Sequence, residues 1–459
     1  SPVICGKCSA ALSCLSTMQT NLWVCEFCGC ENSVNDGGAR VCVGQRAGVH
    51  SDELYLPNQS EDDYQNLEDT LVVFCVDISG SMSVTTEVCR ALTSLLQQSP
   101  RRRVALVTFS DDVVIYGDGT STPLTLRDFA LVDSDHIWQQ GMSYKIPHCI
   151  AETYHQLIQR VKELREHGAT SLGPAALASV AMASRYSGSK VILCTDGRAN
   201  IGLGEMEQTP SLSPSPQTPY FYRELAQKAV ESGVIISVMT FEGTDCRLAD
   251  VGRLADTTGG RVNMVSIGTV ATEIQSASMD NVLATGVKAT LYFPYEDENN
   301  HKLVREIGNV TKDLEITFQF AVKPQYMDGK TIFLQKVTLP FQLQLTFKTR
   351  DQEKVTRVIT EQRPVTTSSR ISAGSLNMAV LGVHCAQLCA SLTMEGRVQE
   401  AQRQLRAQQE LLDQIRYDCL TYKPINQEES VYGNWMDTMT TICDDITPES
   451  QVIIHLIYQ

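Results

Sequence analysis

Thr70-Leu71-Val72-Val73-Phe74-Cys75-Val76-Asp77-Ile78-Ser79-Gly80-Ser81 carries two signals in one short stretch. The first is an unbroken apolar run of strand length, the mark of a strand covered on both faces, as in a parallel sheet. The second is the D-x-S-x-S turn that ends it. Similar runs recur at 104–109, 190–194 and 234–239, with helical patterns between them at 87–98, 150–166, 173–186 and 222–232. Strand and helix alternate to about residue 280. This predicts a multidomain α/β chain whose largest part, 69–281, is doubly wound around a mainly parallel sheet.

Beyond residue 282 the period changes. Leu314-Glu315-Ile316-Thr317-Phe318-Gln319-Phe320 and Phe341-Gln342-Leu343-Gln344-Leu345-Thr346-Phe347 alternate strictly, which predicts half-buried antiparallel strands in a small β-sandwich over 282–370. The remainder, 371–459, reads as a helical region containing a hairpin, 375–392 and 397–415, broken at Gly396. Val398, Ala401, Leu405, Leu412 and Ile415 fall on one stripe that the hairpin would bury. Residues 1–45 form a cysteine-rich segment, joined to the α/β part by an acidic linker, 46–68. Four prolines in 209–219 predict a loop on the rim where the parallel strands end.

The chain has 459 residues, and its 53 acidic against 38 basic residues give a net charge of −15. Such a surface repels phosphate, so nucleic acid is not an expected partner. No window approaches the ~18 apolar residues of a membrane span, and the N-terminus lacks the apolar stretch of a signal peptide. Ser1 stands where a complete chain would carry methionine, which fits an excised piece of a longer protein. Seven of the sixteen cysteines precede residue 43, and the others sit singly in apolar runs. That distribution suits a reducing, cytoplasmic setting with a metal site at one end.

Cys5-x-x-Cys8 and Cys25-x-x-Cys28 are two knuckles separated by sixteen residues. Four thiolates complete the tetrahedron of a structural Zn²⁺ and leave no open position for catalysis. Cys30 competes with Cys28 for the fourth place. With so little apolar sequence nearby, the metal would supply most of the segment's folding free energy.

A second donor set is all oxygen. Asp77, Ser79 and Ser81 follow one strand, Asp196 follows another, and Thr170 precedes a helix between them. Carboxyl ends of parallel strands are where open α/β sheets hold ligands. Two carboxylates and three hydroxyls suit Mg²⁺, with Ca²⁺ or Mn²⁺ as alternatives, and a water-filled position could admit a partner's carboxylate. Each piece alone has a plain alternative: Asp77-x-Ser79 as a helix cap, Asp196-Gly197 as a turn.

On these five residues the stretch resembles a von Willebrand factor A domain with an intact metal-ion-dependent adhesion site. The resemblance implies that Ser79, Ser81 and Thr170 coordinate directly, while Asp77 and Asp196 act through water. The zinc ribbon, with Trp23 just before Cys25, followed by an A-type domain, β-strands and helices, also resembles the inner-shell Sec proteins of the COPII coat. Those generally lack the complete metal site and end in a gelsolin-like domain not found in this sequence. A ribbon joined to an intact A domain is similar to the C-terminal part of circularly permuted Ras proteins, although no G-x-x-x-x-G-K-[ST] loop occurs here.

The expected function is a non-enzymatic interaction module that takes an exposed Asp or Glu of a protein partner through Mg²⁺. A transport scaffold using its sheet surfaces is the alternative. A Mg²⁺-dependent hydrolase stands third and would need Asp111 or Asp112 as its base. No H-E-x-x-H, G-x-S-x-G or kinase motif supports that last reading.

Overall fold

A computed structural model describes residues 2–34, 51–56, 70–79, 83–165, 167–206, 217–241, 248–266, 268–278, 282–293, 302–312, 314–318, 338–350, 353–364 and 378–420. The first unit is a three-stranded antiparallel ribbon, β1 (Thr17–Gln19), β2 (Leu22–Val24) and β3 (Glu31–Ser33). It is too small to enclose a core alone. Trp23 and Phe27 are buried among the knuckle cysteines, and Tyr292, from a strand hundreds of residues later, completes the cluster. Within the expected linker, β4 (Asp52–Tyr55) pairs with a strand near residue 357, so part of that acidic segment is sheet. Its four residues are too few to show a period.

The α/β unit begins at β5 (Leu71–Asp77), all of whose residues are buried. There follow α1 (Ser83–Gln98), β6 (Arg103–Phe109), β7 (Val113–Gly117), β8 (Leu124–Leu126), a 3-10 turn (Asp128–Val132), α2 (Ser134–Ser143), α3 (Ile150–Glu163), α4 (Leu172–Ala183) and β9 (Lys190–Thr195). It closes with α5 (Gln217–Glu231), β10 (Ile235–Phe241), α6 (Leu248–Thr258), β11 (Val262–Val265) and α7 (Val270–Ser278). The strand order is β11-β10-β9-β5-β6-β7-β8. The first five are parallel; β7 and β8 extend the sheet antiparallel.

The double winding is visible in β5 itself. Leu71, Val73 and Cys75 face α2, α4, α5 and α6, while Val72, Phe74 and Val76 face α1, α3 and α7. Every residue of α4 is buried, which explains its apolar composition on all sides. Helix α5 starts at Gln217, so the end of the proline-rich segment is helical rather than loop. Pro219 is tolerated there because first-turn N–H groups have no intrahelical partner to lose. Residues 209–216 lie outside the described residues.

The antiparallel unit is one five-stranded sheet, β13-β12-β14-β15-β4, built from β12 (Val282–Tyr292), β13 (Lys302–Thr311), β14 (Thr338–Lys348), β15 (Lys354–Pro364) and the early strand β4. The alternating stretch 314–318 forms no strand. Its carbonyls are taken by side chains instead: Gln387 donates to Glu315 O, and Arg305 to Thr317 O. One sheet face receives the ribbon. Gln342 accepts from Ala11 N (2.7 Å) and donates to Ala11 O (2.8 Å), and Gln344 donates to Ser9 O (3.1 Å).

Two helices, α8 (Met378–Met394) and α9 (Val398–Leu420), form the expected hairpin, turning at Gly396 with φ +78. Ala401, Leu405 and Val398 pack on Cys385, Cys389 and Leu392. Leu412 and Ile415 belong to α9, but their side chains are not among the described ones. No described helix is long and apolar enough to cross a membrane.

Candidate metal centres on the ribbon and the sheet rim

The ribbon turns bring Cys5, Cys8, Cys25 and Cys28 together, with all four sulfurs within 4.8 Å of one another. Cys5 Sγ lies 3.6 Å from Cys28 Sγ, and Cys8 Sγ lies 3.6 Å from Cys25 Sγ. A tetrahedron with Zn–S bonds of about 2.3 Å has S···S edges of about 3.8 Å, so the set fits zinc. Cys30 is not part of the group; its thiol faces Glu31 O. Its backbone carbonyl instead takes Cys25 N (2.9 Å), tightening the second knuckle.

Burial works against the Cys5 thiolate, but the backbone N–H groups of Cys8 and Lys7 and the Asn32 amide outweigh it and lower that thiol to about 6. Lys7 N and Asn32 Nδ2 both stand 3.4 Å from the sulfur. Cys25 is pushed up, first by its hydrogen bond with Cys8 and then by burial, and burial pushes Cys28 up to about 11. Four sulfurs this close resist ionising together, and a divalent cation would relieve that conflict. Asn32, which sequence reasoning missed, orients the first ligand from outside the ligand set.

The second centre lies between β5 and β9, where the chain order reverses and open sheets form a crevice. Asp77, the last residue of β5, is 5% exposed. Its Oδ1 accepts from Ser79 N (2.9 Å) and Ser79 Oγ (2.5 Å), and its Oδ2 accepts from Thr195 Oγ1 (2.8 Å). Ser79 Oγ lies 2.8 Å from Thr170 Oγ1. Burial raises the Asp77 carboxyl above its ordinary value against the hydrogen bonds from Ser79 and Thr195, and the Asp196 charge adds to the rise. Gly197 follows Asp196 closely against Thr170, since a Cβ there would stand 3.6 Å from Thr170 Oγ1. Ser81 lies outside the described residues.

This donor set fits a small hard cation. An octahedron with Mg–O bonds near 2.1 Å has O···O edges of about 3.0 Å, close to the Ser79–Thr170 separation. Two residues that hold the 168–170 loop were not expected in that role from the sequence. Thr170 N donates to Asn200 Oδ1 (2.7 Å) and Asn200 N to Thr170 O (3.1 Å), which fixes the threonine from the β9 side. From the β6 side, Asp111 Oδ1 accepts Ala169 N (2.5 Å), and its carboxylate lies over Gly168. A Cβ at Gly168, which has φ +81, would come within 2.1 Å of Asp111 Oδ2. Asp111 therefore serves the backbone, and Asp112 faces Arg127 at 3.7 Å.

A family model described as the von Willebrand factor type A domain matches residues 72–130, the stretch that includes Asp77, Ser79 and Ser81. The chain contains a von Willebrand factor A domain. Over 465 aligned residues it is 27% identical to Circularly permutated Ras protein 1 of Dictyostelium discoideum, covering 89% of this chain. It spans 53% of that relative's length. The human COPII-coat protein Sec24c matches across 100% of this chain and 68% of its own, with a TM-score of 0.67 at 14% identity. A von Willebrand factor type A protein from Catenulispora acidiphila matches over 84% of each chain, with a TM-score of 0.48 and 13% identity. The A domain thus sits inside an architecture shared in fold with Sec24c, with a four-cysteine cluster at its N-terminal end.

Proposed function

We propose that the chain is a protein-interaction module whose A domain captures an acidic side chain of a partner through a divalent cation, Mg²⁺ first, at Asp77, Ser79, Ser81, Thr170 and Asp196. A structural zinc at Cys5, Cys8, Cys25 and Cys28 would hold the ribbon. The observation that carries the reading is that Ser79 Oγ lies within hydrogen-bond distance of both Asp77 Oδ1 and Thr170 Oγ1 at the carboxyl end of β5. When bound, the cation would supply a positive charge with exchangeable positions for a carboxylate. The chain's own residues orient those oxygens: Thr195 fixes Asp77, and Asn200 and Asp111 fix the Thr170 loop. In this reading the module works in the cytoplasm and performs no chemistry of its own.

Calorimetric titration with Mg²⁺ should show one site in the wild type and a strongly weakened one in Asp196→Ala and Ser79→Ala. Chelators would strip zinc as well, so these variants, rather than EDTA alone, separate the two metals. A second reading, a coat-like scaffold, is favoured by the match to Sec24c along the whole chain. Partner binding that persists in both variants would support the scaffold and sink the metal-bridged module.

A further inference from the structure

Phe129 is 90% exposed, on the 3-10 turn that follows β8, and Val132 on the same turn is 59% exposed. The residue before it, Asp128, holds φ +54, a left-handed conformation that aspartate tolerates better than most side chains. The turn thus holds a phenyl ring and a valine side chain in water together, which adds nothing to the fold and points to a use outside it.

The place of the turn narrows that use. Strand β8 ends with Leu126 opposite Val113, so the turn leaves the sheet on the rim where β5 and β9 also end. On one side Arg127 faces Asp112, whose neighbour Asp111 holds Ala169. On the other, Leu203 N donates to Leu131 O (2.9 Å), only a few residues beyond Asn200, which clasps Thr170. The two loops that shape the oxygen cradle are the same two that flank the exposed ring.

We infer that Phe129, with Val132, is the second contact of the metal-directed interface: the partner is a protein that presents an aliphatic or aromatic side chain beside the Asp or Glu reaching the cation. The inference rests on the metal-bridged reading above. A single carboxylate–cation contact is small and chemically undemanding, whereas an apolar contact at a fixed offset selects among acidic surfaces. Covering a ring of this size changes affinity by roughly tenfold or more.

The test uses the full chain and a displayed peptide library with one fixed glutamate between randomised positions, selected in Mg²⁺. The enriched peptides should carry Leu, Ile, Phe or Trp at a recurring offset from the glutamate. Synthesised singly, they should bind Phe129→Ser at least tenfold more weakly than wild type, with Mg²⁺ affinity and unfolding midpoint unchanged. Mg²⁺-dependent peptides with no apolar preference, or with equal affinity for Phe129→Ser, would overturn the inference while leaving the metal reading intact. Peptides whose binding survives Ser79→Ala and Mg²⁺ removal, or no enrichment at all, would sink both. Phe129-dependent dimerisation in sedimentation, without peptide, would assign the ring to a second copy of this chain and overturn the proposed partner.

Discussion

Replacing Gln342 by alanine tests how the ribbon is held. Gln342 is 0% exposed, and its amide takes both polar groups of the Ala11 backbone, itself 0% exposed. It also donates to Thr360 Oγ1 (3.2 Å). Truncation orphans a buried N–H and a buried C=O at once. At about 1–3 kcal/mol per orphaned group, with some relief from entering water, the docked state should lose about 2–4 kcal/mol. Opening of the ribbon from the sheet should then become roughly 30- to 700-fold more frequent. The four clustered cysteines all belong to the ribbon, so any zinc they hold should stay in place. Hydrogen exchange resolved on the ribbon and β14, beside zinc analysis of the same sample, reads both quantities. Exchange at Ala10, Ala11 and Leu12 within about threefold of wild type would refute the argument and leave the Phe27–Tyr292 contact and its neighbours as the true anchor.

Wild-type protein should bind about one zinc per chain, and Cys25→Ser should lose it, unfold the ribbon and also raise exchange along the Gln342 face, as metal analysis and exchange would show. Gly168→Ala should cost about 1–2 kcal/mol for its left-handed backbone and about 1 more for evicting the Asp111 carboxylate from Ala169 N. In an Asp111→Ala background only the first cost should remain, and equal costs in urea unfolding of both backgrounds would disprove the clamp. The β4–β15 edge should weaken in acid. The hydrogen bonds from Arg357 hold Asp52 below the ordinary carboxylate value of 3.8, so their contribution is complete above that value and fades as pH falls through the lower folded one. Carboxyl NMR titration should find Asp52 titrating below that value, and Arg357→Gln should abolish the shift.

The sequence reading succeeded where a local pattern had one physical solution. Unbroken apolar runs ending in Asp77 and Thr195 suited a sheet covered on both faces, and two C-x-x-C pairs pointed to one four-cysteine cluster. It fell short where a residue's neighbour is remote. Gln342 and Gln344 alternate with leucines and look solvent-facing, yet ribbon backbone more than 300 residues earlier covers them. The 314–318 stretch has the period of a strand, but Gln387 and Arg305 take its carbonyls. Asn200 and Asp111 carry no motif, because their task is to hold the Thr170 backbone. Asn309, part of an Asn-x-Ser/Thr triplet, is fully buried and donates to Val234 O and Thr258 O, a structural role that the triplet does not reveal.

The early strand β4 has a consequence for synthesis. Asp52 leaves the ribosome 305 residues before its partner Arg357, and Ala11 leaves it 331 residues before Gln342. At about 5–20 residues per second the intervening polypeptide takes about 15–60 s to make. The whole A domain, whose strands pair within the span between them, emerges in that interval and can fold first. The N-terminal segment meanwhile waits with an open strand edge and an undocked ribbon, and a metal taken by its four cysteines would be a stabiliser available before the second sheet arrives. A nascent chain halted before β15 would carry a finished A domain on an unfinished base, so β15 secures a strand made about 300 residues before it.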